Sequence, residues 1–589
     1  TLSYARLNAK ANRLAHYLAE QGVGAGHRVG IYVERSPELL VAMLGVLKAG
    51  AAYVPFEPKN TRDRLGAIIR DAGIEWVLVQ PGMADRLPPG GVDLLMLDDG
   101  ADAGWLDGYP EDNPSADGHG PTLQDSAYLI YTSGSTGTPK GVDIAHLGLM
   151  DYCTFASRRY YAGHLAGSQV VTSHGFDITV PSLYLPLLRG GTVELLDAGD
   201  ELAGLAARLA DPDCAPALLR MTPMHVRGLL ELLPATVPVQ GRHVFVVGGE
   251  AFTPELAREL QARCPHSQLF NHYGPTETVV GCAMYDISAN LDAIGRVLPI
   301  GRAMDNTRLY VLNAALQPCP VGVAGELHIG GAGVARGYLN QAALTAAKFI
   351  ADPFNPGERL YKTGDLVRML AGGDLEFIGR ADDQVKLRGY RIELGEVRAA
   401  LQRLEQVRDA AVLVEGEGER RRLLAYLVPA APAADEAAYI AAVQEALRQA
   451  LPEYMVPAGF ALLDQLPLTP NGKTDTRSLL ALGGLLGGGV AMVAPSGHTE
   501  SRLAETWCAL LGLEQVSTNA SFFDVGGHSL LAMRLINAVQ GGFGVAFSLK
   551  ALLANPTIGA MASQIDASLA RAGNSEGAND NENNVETEW

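Results

Sequence analysis

Apolar positions in the first eighty residues alternate between the spacing of a helix and the short continuous runs of buried strands. They recur at helical spacing over residues 4–21 and over 38–49, where Gly50 ends the pattern. Short apolar runs predict strands at 28–33, 51–55 and 76–79, and residues 67–74 lead into the last of these strands. This alternation predicts a largely parallel sheet covered by helices.

The same reading continues along the chain. Residues 97–122 are rich in Asp, Gly and Pro and predict an exposed loop. Apolar runs at 127–130 and 244–247 predict two more buried strands, and a helix is expected to begin near His146. Each of these two strands runs directly into a glycine-rich polar segment, which is where α/β sheets commonly bind ligands.

Bulk properties set limits on function. A chain of 589 residues is too long for one core, so three or more domains are expected. The net charge of −19 without a dense basic stripe argues against nucleic acid as a partner. Neither a membrane-length apolar run nor a signal peptide is present, and the six cysteines are scattered without a CxxC pair. We expect a cytoplasmic protein with reduced thiols and no membrane partner.

A loop at 131–141, with the sequence YTSGSTGTPKG, follows the strand at 127–130. Glycines allow backbone N–H groups to cradle an anion, and Lys140 adds a positive charge, so the loop suits a polyphosphate. An ordinary surface linker has a similar composition. The spacing is not that of GxxxxGK[ST], because no Ser or Thr follows Lys140.

This loop resembles the signature of the adenylate-forming enzymes, which include acyl-CoA ligases, luciferases and peptide-synthetase adenylation domains. The resemblance implies that ATP is bound by Thr132, Ser133, Gly134, Ser135, Thr136, Gly137 and Lys140.

Asp177 follows Phe176 and precedes an apolar stretch, where a carboxylate is costly unless it is paired. It could cap a helix, or it could anchor a positively charged substrate group. In amino-acid-activating adenylation domains an Asp at this place pairs with the substrate α-ammonium. Acyl-CoA ligases and luciferases generally lack it. Asp177 therefore favours an amino-acid substrate.

The segment 271–277 (NHYGPTE) is a more specific family match, although a Gly-Pro turn with an exposed Glu is the alternative. By resemblance, Glu277 binds the magnesium that accompanies ATP. The segment 361–366 predicts a turn carrying Asp365, which in the family binds the ribose hydroxyls. The resemblance implies further ATP contacts from Gly249, Glu250, Asn271, Tyr273, Gly274, Thr276, Asp365 and Arg380.

The segment 379–391 resembles the family's hinge, with Asp382 as the pivot between two rigid bodies. Lys473 lies in a turn-like segment, where a lysine usually faces solvent. The resemblance instead assigns it to the substrate carboxylate and the α-phosphate, as a catalytic residue together with Glu277 and Thr132. Because Lys473 and an attacking thiol must reach the same carbon, we expect the small subdomain to rotate between two steps.

A Gly- and Pro-containing linker at 481–496 precedes a helical module with the sequence DVGGHSL around Ser529. Ser529 could be a helix N-cap, but the motif resembles a peptidyl carrier domain, in which this serine bears 4'-phosphopantetheine. We expect an α/β multidomain protein with a helix-covered large subdomain, a small α+β subdomain and a four-helix-bundle carrier. The expected boundaries are 1–381 and 382–480 for the adenylation subdomains, 481–496 for the linker, 497–570 for the carrier and 571–589 for a disordered tail.

Alignment with the family's pocket positions implies a substrate site formed by Asp177, Ile178, Pro181, Arg220, Val246, Gly248, His272, Val280, Gly281 and Lys473. If Asp177 binds the ammonium, a buried Arg220 calls for an anionic ligand. The set resembles that of aspartate-activating domains, which usually have Lys where Arg220 stands. The expected substrate is L-aspartate or 3-methylaspartate, with glutamate next. A surface position for Arg220 is the alternative.

The complete pattern is that of a non-ribosomal peptide synthetase adenylation domain fused to a carrier. It implies ATP, Mg²⁺ and 4'-phosphopantetheine as cofactors. It implies an amino acid, a phosphopantetheinyl transferase and downstream synthetase domains or tailoring enzymes as partners. A segment at 344–349 resembles the region that receives an MbtH-like protein in some relatives. An acyl-CoA ligase and a non-catalytic carrier scaffold are the rival hypotheses.

Overall fold

A computed structural model of the chain describes residues 1–97, 103–114, 121–134, 138–161, 163–197, 199–234, 237–416, 421–468, 474–482, 485–486, 492–527 and 529–579. The chain divides into two compact units, Thr1–Glu396 and Val397–Trp589. Four of the predicted site residues lie outside the described residues, namely Ser135, Thr136, Gly137 and Lys473.

The helices of the first unit have the amphipathic spacing seen in the sequence. The predicted helices near residues 4–21, 38–49 and 146 are confirmed. Helix α1 begins where the Ser3 hydroxyl accepts a hydrogen bond from the Arg6 N–H. In chain order the helices are α1 (Tyr4–Glu20), α2 (Pro37–Lys48), α3 (Arg62–Ala72), α4 (His146–Arg159), α5 (Val180–Arg189), α6 (Glu201–Ala210), α7 (Pro223–Leu232), α8 (Pro254–Arg263), α9 (Ile287–Asn290), α10 (Ala342–Lys348) and α11 (Leu394–Gln402), which crosses the unit boundary.

The strands of the first unit include all the predicted ones, with ends shifted by at most two residues. They are β1 (Arg28–Tyr32), β2 (Ala52–Pro55), β3 (Trp76–Val79), β4 (Asp93–Met96), β5 (Ser126–Thr132), β6 (Lys140–Ala145), β7 (Gly167–Val170), β8 (Thr192–Leu195), β9 (Ala217–Met221), β10 (Val244–Gly248), β11 (Gln268–Tyr273), β12 (Ala283–Asp286), β13 (Arg302–Ala303), β14 (Thr307–Leu312), β15 (Ala324–Gly331), β16 (Gly337–Tyr338), β17 (Phe349–Ala351), β18 (Arg359–Met369), β19 (Leu375–Arg380), β20 (Gln384–Leu387) and β21 (Tyr390–Glu393).

These strands form two seven-stranded sheets, a smaller antiparallel sheet and a hairpin. The large sheets have the orders β16-β6-β5-β2-β1-β3-β4 and β13-β12-β11-β10-β9-β7-β8. The third sheet is β14-β15-β18-β17, with β19 joined to β18, and β20 pairs with β21 as a hairpin. Strands β11, β10, β9, β7 and β8 are mutually parallel, so their carboxyl ends meet at one edge, where a ligand site is expected.

The main core lies between the two large sheets. One buried apolar cluster contains Ile31 from the first sheet and Val246 from the second. It also contains Leu39 of α2, Leu149 of α4 and Leu183 of α5. Sheet faces covered by apolar helices are the arrangement that the alternating pattern predicted.

The second unit has its own sheet, of order β22-β23-β24-β25, with β22 at Val407–Glu415, β23 at Arg422–Pro429, β24 at Gly459–Leu462 and β25 at Leu485–Leu486. Its helices are α12 (Glu436–Ala450), α13 (Thr476–Leu482), α14 (Gly497–Leu511), α15 (Ser529–Phe543), α16 (Leu549–Ala554) and α17 (Ile558–Asn579). Helices α14 to α17 share an apolar cluster that includes Trp507, Leu535 and Ile565.

The structure differs from the sequence predictions at three places. Asp365 was expected in a turn, but it lies within β18 and is 3% exposed. The predicted linker contains β25, which pairs with β24. The predicted disordered tail begins within α17, which continues to Asn579. Among the described residues, no helix is both long and apolar enough to cross a bilayer.

Candidate active site

The glycine-rich loop connects two paired antiparallel strands. Strand β5 ends at Thr132 and β6 begins at Lys140, and these two residues are register partners. A side chain at Gly134 would place its Cβ 2.0 Å from the Thr138 carbonyl oxygen, so the tight path of the loop requires glycine. The Thr132 Oγ1 atom is buried, and no described residue hydrogen-bonds to it. It is free to bind a ligand.

A chain of alternating charges, called here the ion network, runs from Arg391 through Glu277 and Lys140 to Glu393. Arg391 donates a 2.8 Å hydrogen bond to Glu277 Oε2. Lys140 Nζ lies 3.6 Å from Glu277 Oε1 and 3.7 Å from Glu393 Oε1. Tyr338 donates a 2.7 Å hydrogen bond to Glu277 Oε1. Glu277 is therefore fully buried with both carboxylate oxygens occupied, and the alternative of an exposed turn residue is wrong.

The ion network sets the charge states of its members. Burial alone would raise the pKa of Glu277, but Arg391 and Lys140 together hold that pKa well below its usual range. Burial, reinforced by Arg391, lowers the pKa of Lys140 to about 8, against the opposing effect of Glu277 and Glu393. In this conformation Lys140 is therefore buried and still positively charged at neutral pH.

The β20–β21 hairpin and the residues just after it account for much of this arrangement. Ser133 donates a 2.8 Å hydrogen bond to the Arg391 carbonyl oxygen, and the Gly134 N–H donates one of 2.9 Å to Glu396 Oε2. The Gly389 N–H donates to Glu250. The rings of Phe176 and Tyr390 meet edge to face at 5.5 Å. The hairpin therefore lies directly on the glycine-rich loop.

Tyr273, Asp365 and Arg380 form a second cluster. Arg380 donates a 2.5 Å hydrogen bond to Asp365 Oδ1, and the Tyr273 hydroxyl donates to Asp365 Oδ2. Arg380 also donates to both oxygens of Asp382, at 2.6 and 2.7 Å. The expected nucleotide residues and the expected hinge residue thus share one arginine. Asn271, in the same region of the sequence, donates to the Pro299 carbonyl oxygen at 2.7 Å.

Strand register brings the expected substrate residues together. Arg220 is the register partner of Val246, and His272 that of Gly248, because β9, β10 and β11 are adjacent and parallel. Arg220 is 2% exposed, so the alternative that places it on the surface is wrong. It donates to the Val246 carbonyl oxygen at 2.9 Å and to His272 Nδ1 at 2.8 Å.

Asp177 begins a short 3₁₀ helix, Asp177–Thr179, just before α5. Asp177 is the N-cap residue of neither helix, since Phe176 precedes the 3₁₀ helix and Thr179 precedes α5, which argues against the capping alternative. Burial raises the pKa of Asp177, while Thr276 and the charge of Arg220 lower it. Its Oδ2 atom is buried and has no hydrogen-bond partner among the described residues. A carboxylate with a buried oxygen that lacks a hydrogen-bond partner is suited to binding a cationic group of a ligand.

The other expected pocket residues lie on the same segments. Ile178 follows Asp177 in the 3₁₀ helix, Pro181 is in the first turn of α5, and Val280 and Gly281 lie between Thr276–Thr278 and β12. A Cβ on Gly281 would stand 1.8 Å from the His272 ring, so glycine is required beside that histidine. Gly249 has a φ of +92° directly after β10. Ser529 is the first residue of α15.

Sequence reasoning did not assign a role to Arg391, Glu393 or Tyr338. A signal was present for the first two, since the segment 384–393 alternates polar and apolar residues on both sides of Arg388-Gly389, a pattern typical of a hairpin. It carried no information on their partners. The described residues contain no group of three or more His, Cys, Asp or Glu side chains that could hold a metal.

Comparison with known families matches residues 1–339 to the AMP-binding enzyme family. This chain belongs to the AMP-binding enzymes. In this AMP-binding enzyme, residues 396–473 further match the AMP-binding enzyme C-terminal domain, and residues 501–565 match the phosphopantetheine attachment site. The combination of an adenylation domain and a carrier domain, predicted from the motifs, is confirmed.

The AMP-binding enzyme is similar to parts of several large synthases. It is 39% identical over 566 residues to tyrocidine synthase 3 of Brevibacillus parabrevis. It is also 39% identical over 560 residues to bacitracin synthase 3 of Bacillus licheniformis. Each match covers 95% of this chain but only 8% of the synthase.

A solved structure shares the same architecture along nearly the whole chain. It is a holo non-ribosomal peptide synthetase protein containing adenylation and PCP domains, bound to a vinylsulfonamide inhibitor. The TM-score is 0.77 at 27% identity, with 96% of this chain and 92% of that chain covered.

Proposed function

We propose that this chain activates an amino acid with ATP and transfers the acyl group to its own carrier region, as part of non-ribosomal peptide synthesis. In the first step the amino-acid carboxylate attacks the α-phosphorus of ATP, and pyrophosphate leaves. In the second, a thiol attacks the acyl carbon, and AMP leaves. The protein's contribution is positioning and charge stabilisation.

The residues present fit ATP. The orphaned Thr132 hydroxyl, the loop N–H groups and Lys140 offer donors to a polyphosphate. Asp365 offers paired acceptor oxygens beside the flat ring of Tyr273, which suits a nucleoside. Ser133, Gly134, Ser135, Thr136, Gly137, Gly249, Glu250, Asn271, Gly274, Thr276 and Arg380 complete the proposed ATP site.

Glu277 fits magnesium as a single ionised oxygen ligand, because Mg²⁺ commonly takes one or two carboxylates and completes its shell with phosphate oxygens and water. Magnesium would neutralise charge on the phosphates. Since both Glu277 oxygens are engaged by side chains here, metal binding requires that Arg391 withdraw.

Ser529 stands at the start of a helix, in the segment that matches the phosphopantetheine attachment site. 4'-Phosphopantetheine bound there would supply the thiol that accepts the acyl group. Its attachment needs a phosphopantetheinyl transferase as a partner. Lys473 is proposed to assist the first step at the carboxylate and α-phosphate, and Asp382 to be the pivot between the two steps.

The observation that carries the substrate proposal is a buried guanidinium and a half-buried carboxylate, with one buried oxygen, that do not bond to one another. Asp177 has an unpartnered oxygen, and no carboxylate among the described residues forms an ion pair with Arg220. Each acts on the other's pKa through space. An α-ammonium on Asp177 and a side-chain carboxylate on Arg220 would satisfy both groups.

We therefore propose L-aspartate or 3-methylaspartate as the substrate, with glutamate next. ATP–pyrophosphate exchange across the amino acids, with Arg220→Ala alongside the wild type, tests this. Aspartate should give the strongest exchange, and Arg220→Ala should abolish that preference. Strong exchange with valine or phenylalanine and none with aspartate would contradict the substrate.

The proposed organisation is an adenylation domain of residues 1–381 and 382–480, a linker at 481–496 that includes β25, a four-helix-bundle carrier at 497–570 and a tail at 571–589 whose first residues continue α17. The carrier would deliver its cargo to downstream synthetase domains or tailoring enzymes. Proposed binding of an MbtH-like protein near α10 rests on resemblance alone. Measuring exchange with and without such a protein tests it.

A further inference from the structure

Arg220 is held in the substrate pocket by neutral partners. Its Nη1 and Nη2 groups donate to the Val246 carbonyl oxygen and to His272 Nδ1, and its buried Nε has no hydrogen-bond partner among the described residues. Burial, reinforced by the charge of Arg220, lowers the pKa of His272 well below its usual range, so this imidazole is neutral. The guanidinium charge is therefore not cancelled by the groups that orient it.

The hydrogen-bond direction through His272 is fixed by chemistry. A guanidinium can only donate, so His272 Nδ1 accepts and Nε2 must carry the ring proton. Nε2 lies 3.4 Å from the Tyr152 hydroxyl, which can accept that proton. Tyr152 in turn hydrogen-bonds to the Tyr160 hydroxyl. A continuous buried chain of hydrogen bonds thus joins Arg220 to His272, His272 to Tyr152 and Tyr152 to Tyr160.

Packing holds this chain in place. The His272 ring lies edge-on to Tyr152 and Tyr160, at centroid distances of 6.0 and 6.3 Å. Gly281 leaves room for the imidazole, since a Cβ there would collide with it. Burial raises the pKa of the Tyr152 hydroxyl well above its usual range, so it stays protonated and neutral. The two tyrosines orient the pair without adding charge.

We propose that Tyr152 and Tyr160 are positioning residues for substrate selectivity. Acting through His272, they aim Arg220 at an acidic substrate side chain and so favour a carboxylate over its amide. Neither tyrosine is among the pocket residues predicted from the sequence. The inference rests on the proposed function, because it requires an acidic amino acid as the substrate.

The test is ATP–pyrophosphate exchange with L-aspartate and L-asparagine for the wild type, Tyr152→Phe and Tyr160→Phe. Losing one neutral hydrogen bond should lower the aspartate-to-asparagine ratio of kcat/KM about three- to tenfold in Tyr152→Phe, through the KM for aspartate. The kcat with aspartate and the KM for ATP should stay within about twofold of wild type. Tyr160→Phe should show a smaller loss, because it acts one bond further away.

Tyr310→Phe is the matched control, since it removes a tyrosine hydroxyl that is hydrogen-bonded to Asn355 outside this chain of hydrogen bonds. It should leave the ratio unchanged, and Tm is measured for all variants. An unchanged ratio in Tyr152→Phe, or a larger loss in Tyr160→Phe, would overturn the proposal. An equal loss of kcat/KM for aspartate, asparagine and ATP would indicate a merely structural role and would also overturn the proposal.

Failure of the proposed function would look different. If the wild type gives no exchange with aspartate but does with glutamate, the same ratio is measured for glutamate against glutamine. If the wild type activates only uncharged amino acids, both the substrate proposal and this inference are wrong, whatever the tyrosine variants do. Should Tyr152→Phe fail to fold, Tyr160→Phe alone must still lower the ratio for the proposal to stand.

Discussion

Replacing Arg391 by Met should separate the two steps of the reaction. The hairpin residue Arg391 and the proposed magnesium ligand Glu277 are joined by a 2.8 Å charge-assisted hydrogen bond. Glu393 meanwhile lies 3.7 Å from Lys140, the proposed phosphate ligand. With the hairpin docked, Arg391 thus lies at the proposed magnesium ligand Glu277, and Glu393 lies near the proposed phosphate ligand Lys140. The docked hairpin and the ATP-bound state should exclude one another, so we assign the docked state to the second step.

The size of the effect follows from the contacts. A hydrogen bond between charged groups contributes about 1.5–3 kcal/mol. At about 1.4 kcal/mol for each factor of ten, its loss should lower the docked population about ten- to hundredfold. Glu277 keeps Lys140 at 3.6 Å and the bond from Tyr338, so the variant avoids the larger cost of an unpaired buried charge. Methionine preserves part of the apolar stem.

The assay compares single-turnover transfer to the carrier with adenylate formation over a magnesium titration. Arg391→Met should slow transfer about tenfold or more, leave adenylate formation near the wild-type rate and lower the magnesium concentration needed for it. Arg302→Met, which removes an exposed arginine paired with Asp374, is the control and should change neither step. Wild-type transfer together with an unchanged magnesium dependence in Arg391→Met would refute the reasoning.

Three further outcomes are expected. Asp177→Asn should raise the KM for the amino acid about ten- to hundredfold, since it removes the charge facing the ammonium. The exposed control Asp305→Asn should leave this KM unchanged, and an equal rise in both variants would contradict the role of Asp177. The KM for ATP should be flat below pH 8 and rise above it, because Lys140 loses its charge as the pH passes its pKa of about 8; Lys140→Arg, which stays charged, should remove that rise, and a rise that persists would count against Lys140. Ser529→Ala should exchange pyrophosphate normally but acquire no covalently bound amino acid, and any such acquisition would exclude Ser529 as the attachment site.

The Lys140 pKa also has a consequence for stability. A lysine whose pKa is lowered by folding binds its proton more weakly in the native state than in the unfolded chain. Between pH 8 and the unfolded value, the unfolded state therefore holds more protons, and the contribution of Lys140 to the free energy of unfolding rises with pH. Comparing urea unfolding of wild type and Lys140→Met across this range checks the sign.

Local periodicity was enough to predict the first elements of the fold. Leu14 and Leu18 are buried because they lie on the apolar face of helix α1, and Val77 is buried because it lies in the apolar run of strand β3. Both patterns can be read from neighbouring residues in the sequence. The burial of one Asp177 carboxylate oxygen was likewise foreseeable from the apolar residues that follow it. By contrast, the position of Asp365 inside β18 depends on pairing with β15 and β19, and that pairing overrides the turn preference of its own segment.

The ion network could not be predicted because its members are remote in sequence. Lys140, Glu277 and Arg391 come from a strand of the first sheet, a 3₁₀ turn beyond the second sheet and a separate hairpin. Each alone has the pattern of a solvated or ligand-binding charge. Tyr152 poses the opposite difficulty, since on an amphipathic helix it is typical of a core aromatic, and only the tertiary structure reveals the partner of its hydroxyl.

The most direct measurement is mass spectrometry of the carrier peptide that contains Ser529, after incubating the full chain with a phosphopantetheinyl transferase, ATP, Mg²⁺ and L-aspartate. The account predicts that this peptide gains a phosphopantetheine arm and then an aspartyl group, with AMP and pyrophosphate released. Failure to form an AMP-linked acid or a loaded arm with any amino acid would contradict it.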